Sequence, residues 1–187
     1  MFLADGFEEV EALAPYDVLV RGGVNVKTVC LNEDNFVTSS HKTVLLAKYT
    51  FKEFLKKLEQ EGTSREDVMI FPGGMPGSKT LAACSPLIEI ARRHYNEGGS
   101  LAAICAAPGL VLSQLNLPEG MEFTCFDGFQ DALIAKGCRF TGRPAVRSGR
   151  IITGRSAGHA VSFGLEILKL VKGEKAAEEV AHALYLD

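Results

Sequence analysis

Short runs of β-forming residues alternate with longer amphipathic runs along this chain, and the alternation constrains the fold more than any single residue does. Strand-like runs fall at Phe2–Ala4, Val24–Leu31, Val68–Phe71, Ser100–Ile104, Glu122–Cys125 and Arg150–Thr153. Helix-like runs fall at Glu8–Arg21, Phe51–Glu61, Pro86–Glu97, Ala107–Leu115, Gln130–Lys136, Gly158–Lys172 and Glu174–Leu184. Strands separated by helices are joined by crossovers rather than hairpins, which predicts an α/β fold: a mainly parallel sheet with helices on both faces. The 187 residues contain no repeat, low-complexity tract or linker, so one domain spanning 1–187 is expected. The first strand run is unusually short; either the sheet begins at Met1 or a few leading residues are missing.

In sheets of this kind the binding crevice lies beyond the carboxyl ends of the strands. Three segments follow strand runs directly: Asp5-Gly6, Pro72-Gly73-Gly74 and Cys105. They are expected to converge on one edge.

Cys105 sits between the small apolar run Ser100–Ile104 and Ala106-Ala107-Pro108, which reads as a helix start with proline in its first turn. A thiol on such a corner faces solvent and the free N–H groups of the helix, which together with the helix dipole favour the thiolate. The same residue also reads as a small buried hydrophobe, the usual state of a free cysteine. Glycines at 73 and 74 allow positive φ and can turn an N–H toward a reacting oxygen, or simply make a tight turn. The residues argue against a phosphate loop, because Ser78 stands where the second glycine is required and Pro76 interrupts the run.

Glu8, Glu9 and Glu11 open the first helix, where carboxylates suit the helix dipole. Glu8 and Glu11 share a face at i, i+3 and repel, so burial of one as a neutral acid would relieve the pair. A protonated carboxyl beside a thiolate donates to it, giving a cysteine–glutamate pair. Among the histidines, His94 and His182 are expected on exposed helix faces. His159 follows Thr153-Gly154-Arg155-Ser156 off a strand at the Cys105 edge, and Arg155 there could bind a carboxylate or phosphate. His41 lies in a polar stretch that spacing does not place.

Twenty basic and twenty-three acidic residues, with no single-sign stretch, give no sign of a nucleic-acid or membrane-surface partner. Five dispersed cysteines without a C-x-x-C pair argue against a disulfide framework and a zinc site, and no cofactor motif emerges. The acidic start and the lack of a long apolar run point to a reducing cytoplasm.

Taken together, Asp5-Gly6-Phe7-Glu8-Glu9-Val10-Glu11, Phe71-Pro72-Gly73-Gly74 and Ala102-Ala103-Ile104-Cys105-Ala106-Ala107-Pro108 resemble the ThiJ/PfpI superfamily and its DJ-one-like branch, over essentially the whole chain. The resemblance implies a flavodoxin-like three-layer sandwich and a homodimer. It also implies an oxidation-prone nucleophile at Cys105, a partner acid at Glu11 and oxyanion donors at the Gly74 and Ala106 N–H groups. Arg21 and Arg155 match positions that line the pocket or dimer interface, so they stand with His159 and His41 as auxiliary candidates. The implied activities are a glutathione-independent glyoxalase (methylglyoxal to lactate) or deglycase acting on reactive carbonyls. The alternative is a non-enzymatic redox sensor or chaperone-like stress protein working through oxidation of Cys105. Ala106 replaces the histidine of the protease-like branch, which argues against a peptidase. Phe126 stands where several relatives keep a histidine, and His41 where they keep an arginine. Without that base, dicarbonyl turnover is expected to be slow.

Overall fold

The structure is a computed structural model that describes residues 1–186. Its strands are β1 (Phe2–Leu3), β2 (Val29–Cys30), β3 (Phe36–Thr38), β4 (Val44–Leu46), β5 (Tyr49–Thr50), β6 (Val68–Phe71), β7 (Ser100–Ile104), β8 (Glu122–Phe123), β9 (Arg139–Phe140), β10 (Ala145–Ser148) and β11 (Ile151–Gly154). Its helices are α1 (Glu9–Arg21), α2 (Phe51–Glu61), α3 (Gly77–Ala83), α4 (Ser85–Asn96), α5 (Ala107–Leu110), α6 (Asp131–Ile134), α7 (Ala160–Lys172) and α8 (Glu174–Ala183).

Two ladders form the central layer. One runs β5-β2-β1, all parallel; the other runs β6-β7-β11, parallel, with β10 antiparallel at its edge. β1 lies against β6, where the Phe2 and Phe71 rings stack at 5.6 Å, but no ladder joins the two. Period-two alternation divides the sheet's faces. Met69, Phe71, Leu101 and Ala103 pack into one core with side chains of α2, α3, α4 and α5. Ile70, Ala102, Ile104 and Ile152 pack into another with α1, α7 and α8. Helices therefore cover both faces, giving the flavodoxin-like α/β sandwich.

Local chemistry explains where several elements start and stop. A reciprocal cap opens α2: Thr50 Oγ1 accepts from Glu53 N–H at 3.2 Å while Glu53 Oε2 accepts from Thr50 N–H at 2.8 Å. The run Ala107–Leu115 is not one helix. After α5 it tightens into a 3-10 turn at Leu112–Gln114, because Ser113 Oγ takes the Gly109 carbonyl at 2.5 Å that the next helical turn would use. The run Val24–Leu31 yields only β2, the two residues that pair with β1 on one side and β5 on the other. Residues 33–48, unassigned by pattern, fold as the β3–β4 hairpin, with His41 in its turn. His94 is a correction: it is 2% exposed rather than on the surface, with Nε2 bonded to the Asp67 carbonyl at 3.0 Å and its ring filling the space beside Gly99.

Candidate active site

Three loops leave the carboxyl ends of β1, β6 and β7 and meet at Cys105. The elbow is strained there. Cys105 has φ +66°, a left-handed conformation that costs a non-glycine residue about 1–2 kcal/mol. Neighbouring segments hold it: Cys105 N–H donates to Gly154 O at 3.0 Å, and its carbonyl accepts from Phe126 N–H at 2.9 Å. The side chain is half-buried.

Glycines let the other two loops close on this corner. A Cβ on Gly73 would stand 2.2 Å from Glu11 Oε2, 2.5 Å from Cys105 Cβ and 3.1 Å from Cys105 Sγ. The carboxyl and the sulfur thus flank one spot that only hydrogen can occupy. Gly74, at φ +92°, has no room for a side chain against the Phe7–Glu8 backbone. Glu8 N–H donates to Gly73 O at 3.0 Å and ties the first loop to the second.

Glu8 and Glu11 divide their roles by burial. Glu8 caps α1, its Oε2 accepting from Glu11 N–H at 2.7 Å. Glu11 is 1% exposed, and its Oε2 has no hydrogen-bond partner. Burial pushes the Glu11 carboxyl up to about 7; the nearby Cys105 thiol and the Gly73 and Ala157 N–H groups oppose the shift, and the charge of Glu8 adds to it.

The thiol departs from the sequence expectation. Burial, then the charge of Glu11 and its hydrogen bond, push Cys105 up to about 12, while the Ala106 and Gly74 N–H groups pull it down. Helix α5 is four residues long, too short for a strong macrodipole, so these individual N–H groups carry the stabilisation instead. Burial also raises Cys125 to about 12, and raises Cys30 and Cys138. What distinguishes Cys105 is its donors and its acid. The two groups face one another and titrate together, with burial raising both.

Among the auxiliary candidates, none has its side chain hydrogen-bonded to Cys105 or Glu11. His159 is half-buried at the start of α7, with Nδ1 3.2 Å from Ser156 Oγ. Arg155 is spent on its own loops: its guanidinium donates to Gly142 O at 2.6 Å and to both Asp127 carboxylate oxygens at 3.1 and 3.3 Å. Arg21 sits in the last turn of α1, paired with Asp17 at 2.6 Å and about 15 Å along the helix from Glu11. His41 Nδ1 lies 3.0 Å from Glu9 Oε2 on the exposed rim, and that bond raises its pKa. Glu8, Glu9 and His41 bring ligand atoms within 4.8 Å of one another, but Glu8 is occupied as a helix cap and Glu9 by His41. Phe126 is 47% exposed beside the Cys105 carbonyl. Sequence reasoning missed the spacer role of Gly73; the doubled glycine was its signal, but only the packing says which glycine does what.

The family profile described as DJ-1/PfpI family matches residues 1–170, and the chain belongs to that family. It is 31% identical over 184 residues to Protein dj-1beta of Drosophila melanogaster, covering 98% of this chain and 94% of the relative. Glutathione-independent glyoxalase DJR-1.2 of Caenorhabditis elegans is 30% identical, with 96% of this chain and 90% of that one covered. Protein DJ-1 homolog B of Arabidopsis thaliana is 29% identical over 98% of this chain, which spans only 40% of that longer protein. Among solved structures, Drosophila melanogaster DJ-1beta superposes with a TM-score of 0.86 at 30% identity, covering 98% of this chain and 95% of that one. Toxoplasma gondii DJ-1, described as oxidized, superposes with a TM-score of 0.87 at 26% identity, with the same coverage of 98% and 95%.

Proposed function

We propose that this protein converts reactive α-oxoaldehydes such as methylglyoxal to hydroxy acids without glutathione, with Cys105 as nucleophile. The observation that carries this reading is the pairing itself: a buried carboxyl that burial pushes up to about 7 lies beside a sulfur faced by the Gly74 and Ala106 N–H groups. Of the two ways the pair can share a proton, the one with the proton on Glu11 and the charge on sulfur is the reactive one.

The thiolate attacks the aldehyde carbon, forming the C–S bond while the carbonyl π pair moves to oxygen. The Gly74 and Ala106 N–H groups are the donors available to that oxyanion. The Glu11 carboxyl gives its proton to this oxygen. As carboxylate it then takes the proton from the former aldehyde carbon and returns it to the neighbouring carbon through an enediol, while the hydroxyl proton passes from the first oxygen to the second. The resulting 2-hydroxy thioester is cleaved by water, which restores the thiol and releases the acid. Methylglyoxal plus water thus gives lactate with no external redox partner. The name of the Caenorhabditis elegans relative supports this substrate class. The absence of a base at Phe126 argues for slow turnover.

Oxidation of Cys105 is the second reading, favoured by the relative described as oxidized and by the same donors, which would hold sulfinate oxygens. We take residues 1–187 as one domain acting as a homodimer, for which Val10 and Leu13, 47% and 42% exposed on α1, offer an apolar face. Free cysteines throughout the chain suit a reducing cytoplasm, and no helix among the described residues is long and apolar enough to cross a membrane. Incubating the purified protein with methylglyoxal and following lactate tests the main reading. Lactate formation absent from Cys105→Ala supports it; undiminished formation in that variant overturns it.

A further inference from the structure

Cys105 is gripped through its backbone from two sides, and the two grips meet in a side-chain pair that the proposed chemistry does not use. Its N–H donates to Gly154 O at 3.0 Å, and its carbonyl accepts from Phe126 N–H at 2.9 Å. The residue after each of these partners is charged. Arg155 follows Gly154, Asp127 follows Phe126, and the guanidinium donates to the two Asp127 carboxylate oxygens at 3.1 and 3.3 Å. Backbone and side chains thus close a ring around the residue held at φ +66°.

A third segment anchors Arg155 as well. Its guanidinium donates to Gly142 O at 2.6 Å, and its own N–H donates to Pro144 O at 3.0 Å. One step deeper, Thr124 N–H donates to Thr153 Oγ1 at 2.9 Å, a buried bond that lays residues 124–127 along the end of β11. The ion pair is the outermost tie in this series. Two residues beyond Arg155, the same loop brings the Ala157 N–H to the Glu11 carboxyl. One side chain therefore fixes a loop that touches both members of the pair: Gly154 holds the Cys105 backbone and Ala157 faces Glu11.

The exposure of the ion pair limits what it is for. Its side chains are 35% and 73% exposed. Ion pairs in such settings contribute little to global stability and are screened by salt, so this one is ill suited to holding the fold. Both terminal nitrogens of the guanidinium are engaged, which leaves it a poor receptor for an anionic substrate.

We infer that Arg155 is a positioning residue for Cys105 and Glu11, locked in place by Asp127, and that it does not receive a substrate carboxylate or phosphate. Its effect on turnover rests on the proposed dicarbonyl chemistry; its effect on thiol reactivity stands apart from that reading.

The test uses Asp127→Asn and Asp127→Glu in the full chain. Cys105 alkylation by iodoacetamide is followed at a fixed pH, alone and with glyoxylate, an anionic aldehyde, as protectant; methylglyoxal turnover is followed separately. In Asp127→Asn the elbow is free to relax away from the Gly74 and Ala106 N–H groups that favour the thiolate. Alkylation should slow at least about threefold, and kcat should fall at least about fivefold with KM unchanged. The thermal midpoint should move by less than about 2 °C. Asp127→Glu keeps the charge and should recover most of both rates. Sodium chloride at about 1 M should slow wild-type alkylation and leave that of Asp127→Asn unchanged. Rates in Asp127→Asn equal to wild type, or a loss that Asp127→Glu does not recover, would overturn the assignment. Stronger protection by glyoxylate in Asp127→Asn would overturn it too, by showing an anion receptor that Asp127 merely masks. A wild-type protein that forms no lactate would defeat the dicarbonyl reading alone, and the alkylation rates would still decide the role of Arg155.

Discussion

At the carboxyl ends of the strands, loops meet around Cys105 so closely that a methyl group at Gly73 would strike both the sulfur's own Cβ and the Glu11 carboxylate. At the amino ends of the same strands, the sheet opens into a cavity of about 330 Å³ and Val24–Thr28 runs without a ladder. The contrast teaches what each end is built to do. Packing is used at one end to force a strained cysteine, a buried acid and N–H donors into a fixed arrangement, which costs stability. The other end supplies strand edges and helix contacts without touching the chemistry.

The comparison breaks first if Cys105 is dispensable. Cys105→Ala should lower dicarbonyl turnover by at least about 10³-fold while leaving the thermal midpoint equal or higher, because alanine relieves the desolvated thiol. Gly73→Ala should come next. Overpacking should cost about 2–3 kcal/mol in urea unfolding, and turnover should fall toward the Cys105→Ala level, since the intruding methyl separates acid from sulfur. A Gly73→Ala protein with normal turnover would show that the site tolerates far more slack than its geometry suggests.

Glu11 sharpens the comparison through pH. Burial keeps a proton on the folded Glu11–Cys105 pair up to about pH 7 that Glu11 of the unfolded chain releases near an ordinary 4.5. Stability should therefore fall as pH rises from about 4.5 to 7, by about 3 kcal/mol in total. Glu11→Gln should remove that slope. A slope unchanged in the variant would place its source elsewhere.

Smaller effects separate the two ends. His94→Ala, at the amino end, should cost about 2 kcal/mol by emptying the space beside Gly99 and freeing the Asp67 carbonyl, yet leave turnover per folded molecule unchanged. Phe126→His should raise turnover about tenfold, a fraction of what a well-placed general base contributes, with little change in stability. An unaltered rate in Phe126→His would mean that Glu11 already meets the proton-transfer demand.

Much of the central layer was legible in the sequence because its strands are buried on both faces and read as continuous apolar runs: Val68–Phe71 and Ser100–Ile104 fall where pattern puts them. The β3–β4 hairpin was not, because Phe36, Val44 and Leu46 face outward and break the alternation that marks a half-buried strand. Strand order alone brought Asp5-Gly6, Pro72-Gly73-Gly74 and Cys105 to one edge, whereas Glu11, Gly74 and Ala106 were singled out only through the family resemblance. The energetics of the site were not legible. Whether a helix dipole or single N–H groups face the sulfur depends on where Ser113 ends α5, and whether Arg155 is free depends on Asp127, a residue distant in sequence. His94 looked like a surface residue because its partner is a backbone carbonyl, which leaves no trace in side-chain patterning.

The central claim is that Cys105 and Glu11 share one proton above pH 7, with the charge on sulfur. The rate of Cys105 alkylation by iodoacetamide, followed from pH 5 to 11 by peptide mapping, reads this directly. Labelling should rise with a midpoint near 7, the value to which burial pushes the Glu11 carboxyl, and with a higher midpoint in Glu11→Leu. Labelling that stays low through pH 7 and rises only above about 10 would put the shared proton on sulfur and contradict the account.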